Sequence, residues 1–233
     1  MKLHKRARLG FGVPLTSAPF LCSDYWAACC DMLIYTMEQG LFSEIKTFRV
    51  SSSSVAINRN KIWRMAKEAK CDYLLMIDND MVFRKNLVEK LLEVEKVMPN
   101  CVYTGMACVG GKPWYPAVWA ESPEDGKGMI LWDWPRHQRF EVHFIGAFGF
   151  LVPKSILYSK KLPEDPFCER DGRSEDHSFS KEVRNAGFRL ICDPTIEFGH
   201  LRLQPVTPKW WDEEKQGLDP RNYVTISSRD DGL

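Results

Sequence analysis

The stretch Tyr73-Leu74-Leu75-Met76-Ile77-Asp78-Asn79-Asp80-Met81-Val82-Phe83 constrains this chain more than any other. A short, dense apolar run of this length reads as a strand buried on both faces of a sheet. The period of two places Asp78 and Asp80 on one face and Asn79 on the other. Two ionised carboxylates at the end of a buried strand repel each other and are costly to desolvate unless a cation neutralises them. A hard divalent ion with oxygen ligands suits them, and such ions bridge to phosphates. The carboxyl end of a strand in an open α/β sheet is also where ligands bind. The plainer reading of the same residues is a turn, since Asp and Asn are common turn formers.

At 233 residues the chain can bury one substantial core, and its 44% apolar and 27% charged residues are ordinary for a globular protein. Lys and Arg total 32 against 31 Asp and Glu, so no global basic field recruits nucleic acid. No apolar run has the length to span a bilayer. The basic start, Lys2 to Arg8, is followed by Gly10, Gly12 and Pro14, which makes a poor signal-peptide core. It reads as a solvated terminus, with a weak membrane-surface contact as the alternative. The eight cysteines contain no C-x-x-C pair, and several sit in apolar runs. Reduced cysteines in a cytoplasmic chain are expected.

Along the chain, strands and helices alternate. Leu9 to Leu15 reads as a first strand, and Ser23 or Asp24 caps a helix to about Gln39. Ile45 to Val50 follows as a strand, then a helix from Val55 to Ala69 with Ile62, Met65, Ala66 and Ala69 on its buried face. After the Asp78–Asp80 strand comes a helix over Asn86 to Val97. This is a wound α/β half with a largely parallel sheet. From Val102 onward Trp114, Trp119, Trp132 and Trp134 are interleaved with Gly and Pro, and short strands are expected around a turn at Ser122–Gly128 and at Phe140–Phe144 and Phe148–Val152.

Ser174-Glu175-Asp176-His177 opens another helix, with Ser174 as its cap, acids in its first turn and Gly187 at its end. Phe188–Cys192, Asp193-Pro194 and Gly199-His200 follow. Alone, the acid pair is an ordinary helix cap, and His200 an ordinary surface or core histidine.

Together, Asp78-Asn79-Asp80 after an apolar strand, Glu175-Asp176 opening a helix, Asn185–Leu190, Asp193-Pro194 and Gly199-His200 resemble the GT-A glycosyltransferases. The likeness is to glycosyltransferase family 2 and similar small viral or microbial enzymes, and it runs from about Leu9 to Pro208. Arg59-Asn60 also looks like the family pattern. The resemblance implies a GT-A, Rossmann-like wound α/β sheet, mostly parallel and flanked by helices, with a small antiparallel β elaboration. It implies one domain over 1–233, with a donor-nucleotide half over about 9–100, an acceptor and catalytic half over about 101–208, and a polar tail over about 209–233.

The activity implied is transfer of a sugar from a nucleotide-diphosphate donor to an acceptor hydroxyl, with inversion. By resemblance, Asp80 and His200 would bind Mn²⁺ or Mg²⁺, and Asp78 would contact the metal through water or the donor nucleotide. Arg59 would lie near the diphosphate or base, and Pro14-Leu15-Thr16 would line the nucleotide pocket. Asp176 would be the general base, with Glu175 its neighbour. Gly146-Ala147-Phe148-Gly149 reads either as backbone that lets a donor sugar approach or as close strand packing.

The chain departs from the family in two places. Asp171-Gly172-Arg173 only loosely fills the signature before the acid pair, and Arg49-Val50-Ser51 lacks the acid that many relatives use to hold uracil. The expected partners are a nucleotide-sugar donor and a glycan, lipid or protein acceptor, with no stable membrane insertion. Most of the tryptophans read as packing, and Trp114 is the candidate for an exposed acceptor contact. The alternatives are a nucleotidyltransferase, which a basic, glycine-rich loop after the first strand would favour, and a catalytically silent nucleotide-sugar-binding module.

Overall fold

The run Tyr73–Ile77 is a strand with all five residues buried, and its side chains alternate between two cores. Tyr73, Leu75 and Ile77 enter one, and Leu74 and Met76 the other. Burying such side chains is worth about 1.5–3 kcal/mol each, so this strand anchors both layers.

The computed structural model describes residues 7–15, 23–110, 114–124, 126–131, 133–170 and 172–201, with no side-chain placement at Trp114. The first half contains β1 (Arg8–Leu15), α1 (Ser23–Glu38), β2 (Glu44–Ser51), α2 (Val55–Glu68), β3 (Tyr73–Ile77), β4 (Met81–Val82), α3 (Leu87–Val97) and β5 (Cys101–Met106). Short strands follow: β6 (Cys108–Gly110), β7 (Trp114–Pro116), β8 (Val118–Glu121), β9 (Gly128–Ile130), β10 (Phe140–Val142) and β11 (Phe144–Ile145). The rest is β12 (Gly149–Pro153), α4 (Lys154–Leu157), α5 (Glu175–Asn185), β13 (Arg189–Glu197) and β14 (Gly199–His200).

Seven strands form the central sheet in the order β10-β13-β5-β12-β3-β1-β2. The pairings of β1 with β2, β1 with β3 and β13 with β5 are parallel, while β12 and β10 run against their neighbours. Five strands therefore point one way. The fold is a mixed α/β layer structure with a mostly parallel sheet and helices on both faces. Helices α1 and α3 cover one face, and α2, α4 and α5 the other. On the second face Trp63 meets Phe167 and Phe179 edge-on, and Phe167 stacks on Phe179 at 4.4 Å. Antiparallel β11-β8-β9 and β6-β7 sheets form the elaboration.

Several expectations are corrected. Met65 is exposed at 37%, and α2 instead buries Asn58, Arg59, Asn60 and Trp63 beside Ile62 and Ala66. The buried stripe is thus partly polar, which a hydrophobic count does not detect. The run from Phe140 to Phe144 breaks at His143, sending β10 to the central sheet and β11 to the small one. Strand β13 runs past the apolar Phe188–Cys192 run, through Pro194 to Glu197, with a register irregularity. Ser174 does not cap α5 by accepting a helix N–H; its hydroxyl donates to the Asp176 carboxylate.

No described helix is long and apolar enough to cross a membrane. The seven cysteines among the described residues are all free, and Cys29, Cys71, Cys101 and Cys192 are buried.

Candidate functional site

Strand β1 pairs with β2 on one side and with β3 on the other, and the carboxyl ends of these strands form the kind of switch-point edge at which open α/β sheets bind ligands. Asn58 ties this edge together. Its side-chain amide donates to the Leu15 carbonyl at 2.8 Å, and its Oδ1 accepts from the Ser52 hydroxyl at 2.6 Å. Sequence reasoning missed Asn58 and Ser52, because nothing local distinguishes a buried Asn on a helix from an exposed one. Thr16 lies outside the described residues.

Asp78 stands directly after β3, and its backbone N–H still bonds the Phe148 carbonyl. The chain then turns at Asn79 and Asp80 before β4, so the alternation of a strand stops at Asp78. The two carboxylates accordingly reach different partners. Asp78 Oδ1 accepts from Arg59 at 2.7 Å. Arg59, only 3% exposed, also donates to Glu175 and, at 3.2 Å, to the Ala147 carbonyl. Burial works against the charge of Arg59, but Asp78, Glu175 and Asp176 more than offset it and raise its pKa. Burial pushes the Asp78 carboxyl up to about 6, with Arg59 pulling the other way and Asp80 and Glu175 adding to the push.

The other carboxylate is met from the far end of the chain. β14 pairs antiparallel with β4, His200 opposite Met81, and the Leu201 N–H bonds the Asp80 carbonyl at 2.7 Å. Gly199 allows this approach, since a Cβ there would lie 2.7 Å from a Val82 methyl. His200 Nε2 then lies 2.9 Å from Asp80 Oδ2, while its Nδ1 is buried and without a hydrogen-bond partner among the described residues. The two groups meet each other directly at hydrogen-bond distance, and carboxylate oxygen and imidazole nitrogen are both donor types that divalent ions accept. Among the described residues no cluster of three or more His, Cys, Asp or Glu is arranged for a metal.

At the start of α5 the acids divide. Glu175 is buried and held by Arg59, whereas Asp176 is half-buried and accepts through Oδ1 from Ser174 and from the His177 N–H at 2.8 Å. Oδ2 of Asp176 has no hydrogen-bond partner among the described residues. His177 wedges between Trp119 and Phe144, ring centroids 4.7 and 4.9 Å away. Burial pushes its pKa down against the pull of Asp176 and Glu175.

The small residues at 146–149 are explained by packing. A Cβ on Gly149 would fall 2.4 Å from the Phe198 ring, and Gly146 faces the Ala117 carbonyl. Of the tryptophans, Trp119 packs on His177 and Trp134 lines a cleft beside His200. Trp132 and the Trp114 side chain lie outside the described residues, as does the tail at 209–233.

Fold and site together define an α/β sheet protein with carboxylates and an imidazole gathered at the carboxyl edge of its sheet. No family model and no curated protein matches the chain. Among 364 matching solved chains, the crystal structure of A197 from STIV aligns with a TM-score of 0.55 at 17% sequence identity. The alignment covers 84% of this chain and 86% of that one, and at this identity the likeness is one of fold alone.

Proposed function

We propose that this protein is a metal-dependent glycosyltransferase of the GT-A kind, moving a sugar from a nucleotide-diphosphate donor to an acceptor hydroxyl. The convergence of Asp80 and His200, 120 residues apart in sequence, at the switch-point edge carries this reading. Asp80 and His200 would hold Mn²⁺ or Mg²⁺, which when bound supplies Lewis-acid neutralisation at the leaving diphosphate. Imidazole beside carboxylate suits Mn²⁺ at least as well as Mg²⁺.

The rest falls to the chain's own groups. Arg59 holds Asp78 and Glu175 in place, so Asp78 stands at this edge as an oriented acceptor for donor hydroxyls. With Glu175 committed to Arg59, Asp176 is the free acid of the pair. It takes the proton from the acceptor hydroxyl as that oxygen attacks the anomeric carbon opposite the nucleotide, and a single displacement inverts the configuration. Pre-positioning these groups is where the catalytic advantage arises.

The test is a donor panel: full-length protein with Mn²⁺, scored for nucleoside diphosphate release from several nucleotide sugars, beside Asp80→Ala. Metal-dependent release from one donor, lost in the variant, is expected. Absence of metal-dependent binding of every nucleotide sugar by calorimetry would sink the assignment.

A further inference from the structure

Past His200 the carboxyl edge of the sheet opens into a cavity of about 680 Å³, within the usual range for a ligand site. Met106, Ala107 and Phe198 give it an apolar floor, while Arg136, His137 and Glu197 bring charged and polar groups to its walls. Arg136 is held in an unusual way. Its guanidinium carbon lies 3.6 Å from the centroid of the Trp134 ring, and its ion pair with Asp133 is loose at 3.7 Å, the Asp133 side chain being 95% exposed. An exposed pair of that kind is worth little. Stacking fixes the guanidinium plane and leaves its N–H fork for a planar or tetrahedral anion. His137 sits beside it, with no hydrogen-bond or ion-pair partner among the described residues. His137 also lines an adjoining cavity of about 350 Å³ with Gln138 and Arg139. Glu197, also in the lining, offers an acceptor for hydroxyl groups.

Resting on the sugar-transfer reading, we propose that this cavity is the acceptor subsite and that it selects a saccharide carrying an anionic substituent, a carboxylate or a phosphate. Arg136 and His137 bind the anion, the apolar floor packs the C–H face of the sugar ring, and Glu197 takes ring hydroxyls. Trp134 pins Arg136 so that the fork is set before the ligand arrives, which reduces the ordering cost of binding. The cavity borders His200, which contacts Asp80 at 2.9 Å, and so adjoins the site proposed for the donor diphosphate.

The experiment uses full-length protein without nucleotide sugar, titrated at low ionic strength and followed by NMR. The probes are three tetrasaccharides of one backbone: uronate-bearing, carboxyl-reduced and neutral, and 6-phosphorylated. At least one charged form is expected to bind about tenfold or more tightly than the neutral one. Arg136→Gln, a change at an exposed position, should erase most of that preference and leave the neutral affinity unchanged. The favoured charged form identifies the anion. Equal binding of all three, binding of none, or a preference that survives both Arg136→Gln and His137→Gln overturns the inference. Donor use is read separately: a protein that shows the Arg136-dependent preference but turns over no donor keeps the anion site and loses the transfer reading. One that turns over donor without discriminating acceptors keeps the transfer reading and loses this site.

Discussion

Arg59 and Asp176 sit in one cluster and do different work, and substitution separates them. Among the described residues Arg59 alone is ion-paired with both Asp78 and Glu175, so Arg59→Met leaves two neighbouring carboxylates with their shared partner gone. Removing one side of a buried ionic cluster costs about 3–5 kcal/mol. Urea denaturation should show that loss in the midpoint with little change in slope. Arg59→Lys should recover only part of it, because an ammonium lacks the planar fork whose separate nitrogens reach the two carboxylates. Asp176→Asn behaves in the opposite way. The amide oxygen still accepts from Ser174 and the His177 N–H, so stability should hold within about 0.5 kcal/mol. Turnover should fall by about 10²–10⁴ with donor affinity retained, the signature of a lost general base. Equal losses of stability in the two variants would show Asp176 to be a helix cap and nothing more. In the sequence Arg59 was legible only through resemblance, and its burial not at all: a cation on a helix is normally solvated, and the two acids that neutralise it lie 19 and 116 residues away.

Strands and helices were largely legible wherever apolar spacing alone decides them. α3 and the first two strand–helix pairs follow from periodicity within about a residue at each end, whereas β3 stops at Ile77 and turns before Asp80, which strand alternation places beside Asp78. What was not legible depends on which neighbour a residue meets. Gly149 looks like a concession to a ligand but makes room for Phe198, which also meets Phe148 and Phe83 and so buttresses the strand that carries His200. Gly149→Ala should cost about 1–3 kcal/mol by overpacking. The double variant with Phe198→Leu should recover part of that cost in a thermodynamic cycle, whereas additive losses would place the strain elsewhere. The entry to β10 and the irregular part of β13 are joined by a charged contact, Arg139 to Asp193 at 2.7 Å, with Thr195 donating twice to the same carboxylate. Burial alone would raise the Asp193 pKa, but the bonds from Thr195 and Arg139 prevail and hold it below the usual carboxylate value. Because the folded value lies below the unfolded one, this contact stabilises above about pH 4 and is lost as pH falls through the folded value. Arg139→Gln should therefore cost about 1–3 kcal/mol at neutral pH, with the gap to wild type closing in acid. A gap that is flat with pH would mean that Arg139 contributes by packing.

The molecule as a whole is a sheet whose carboxyl edge collects residues from distant parts of the chain: Asp78 and Asp80 from the middle, Glu175 and Asp176 from a late helix, His200 from the end of the described chain. Sequence order does not reveal that convergence; parallel strands do, since each returns its carboxyl end to the same edge. A site assembled this way should couple ligand binding to the stability of the entire layer structure, because its parts meet only when the sheet is formed. Nucleoside diphosphate with Mn²⁺ at 100 times its dissociation constant should stabilise the fold by about 2.7 kcal/mol. For a domain of this size that is a rise in Tm of roughly 5–10 °C. The Asp80 side chain is 48% exposed, so Asp80→Ala should melt near the wild-type temperature without ligand and lose the ligand-induced rise. His200→Ala should lose it too, though with some cost to the apo protein because the ring is partly buried. Arg136→Gln, in the neighbouring cavity, should keep the full rise. Differential scanning fluorimetry on the four proteins, with and without metal and nucleotide, gives all of these values in one experiment. A rise that needs nucleotide but not metal, and that persists in Asp80→Ala, would leave the edge a nucleotide site and remove Asp80 and His200 from its chemistry.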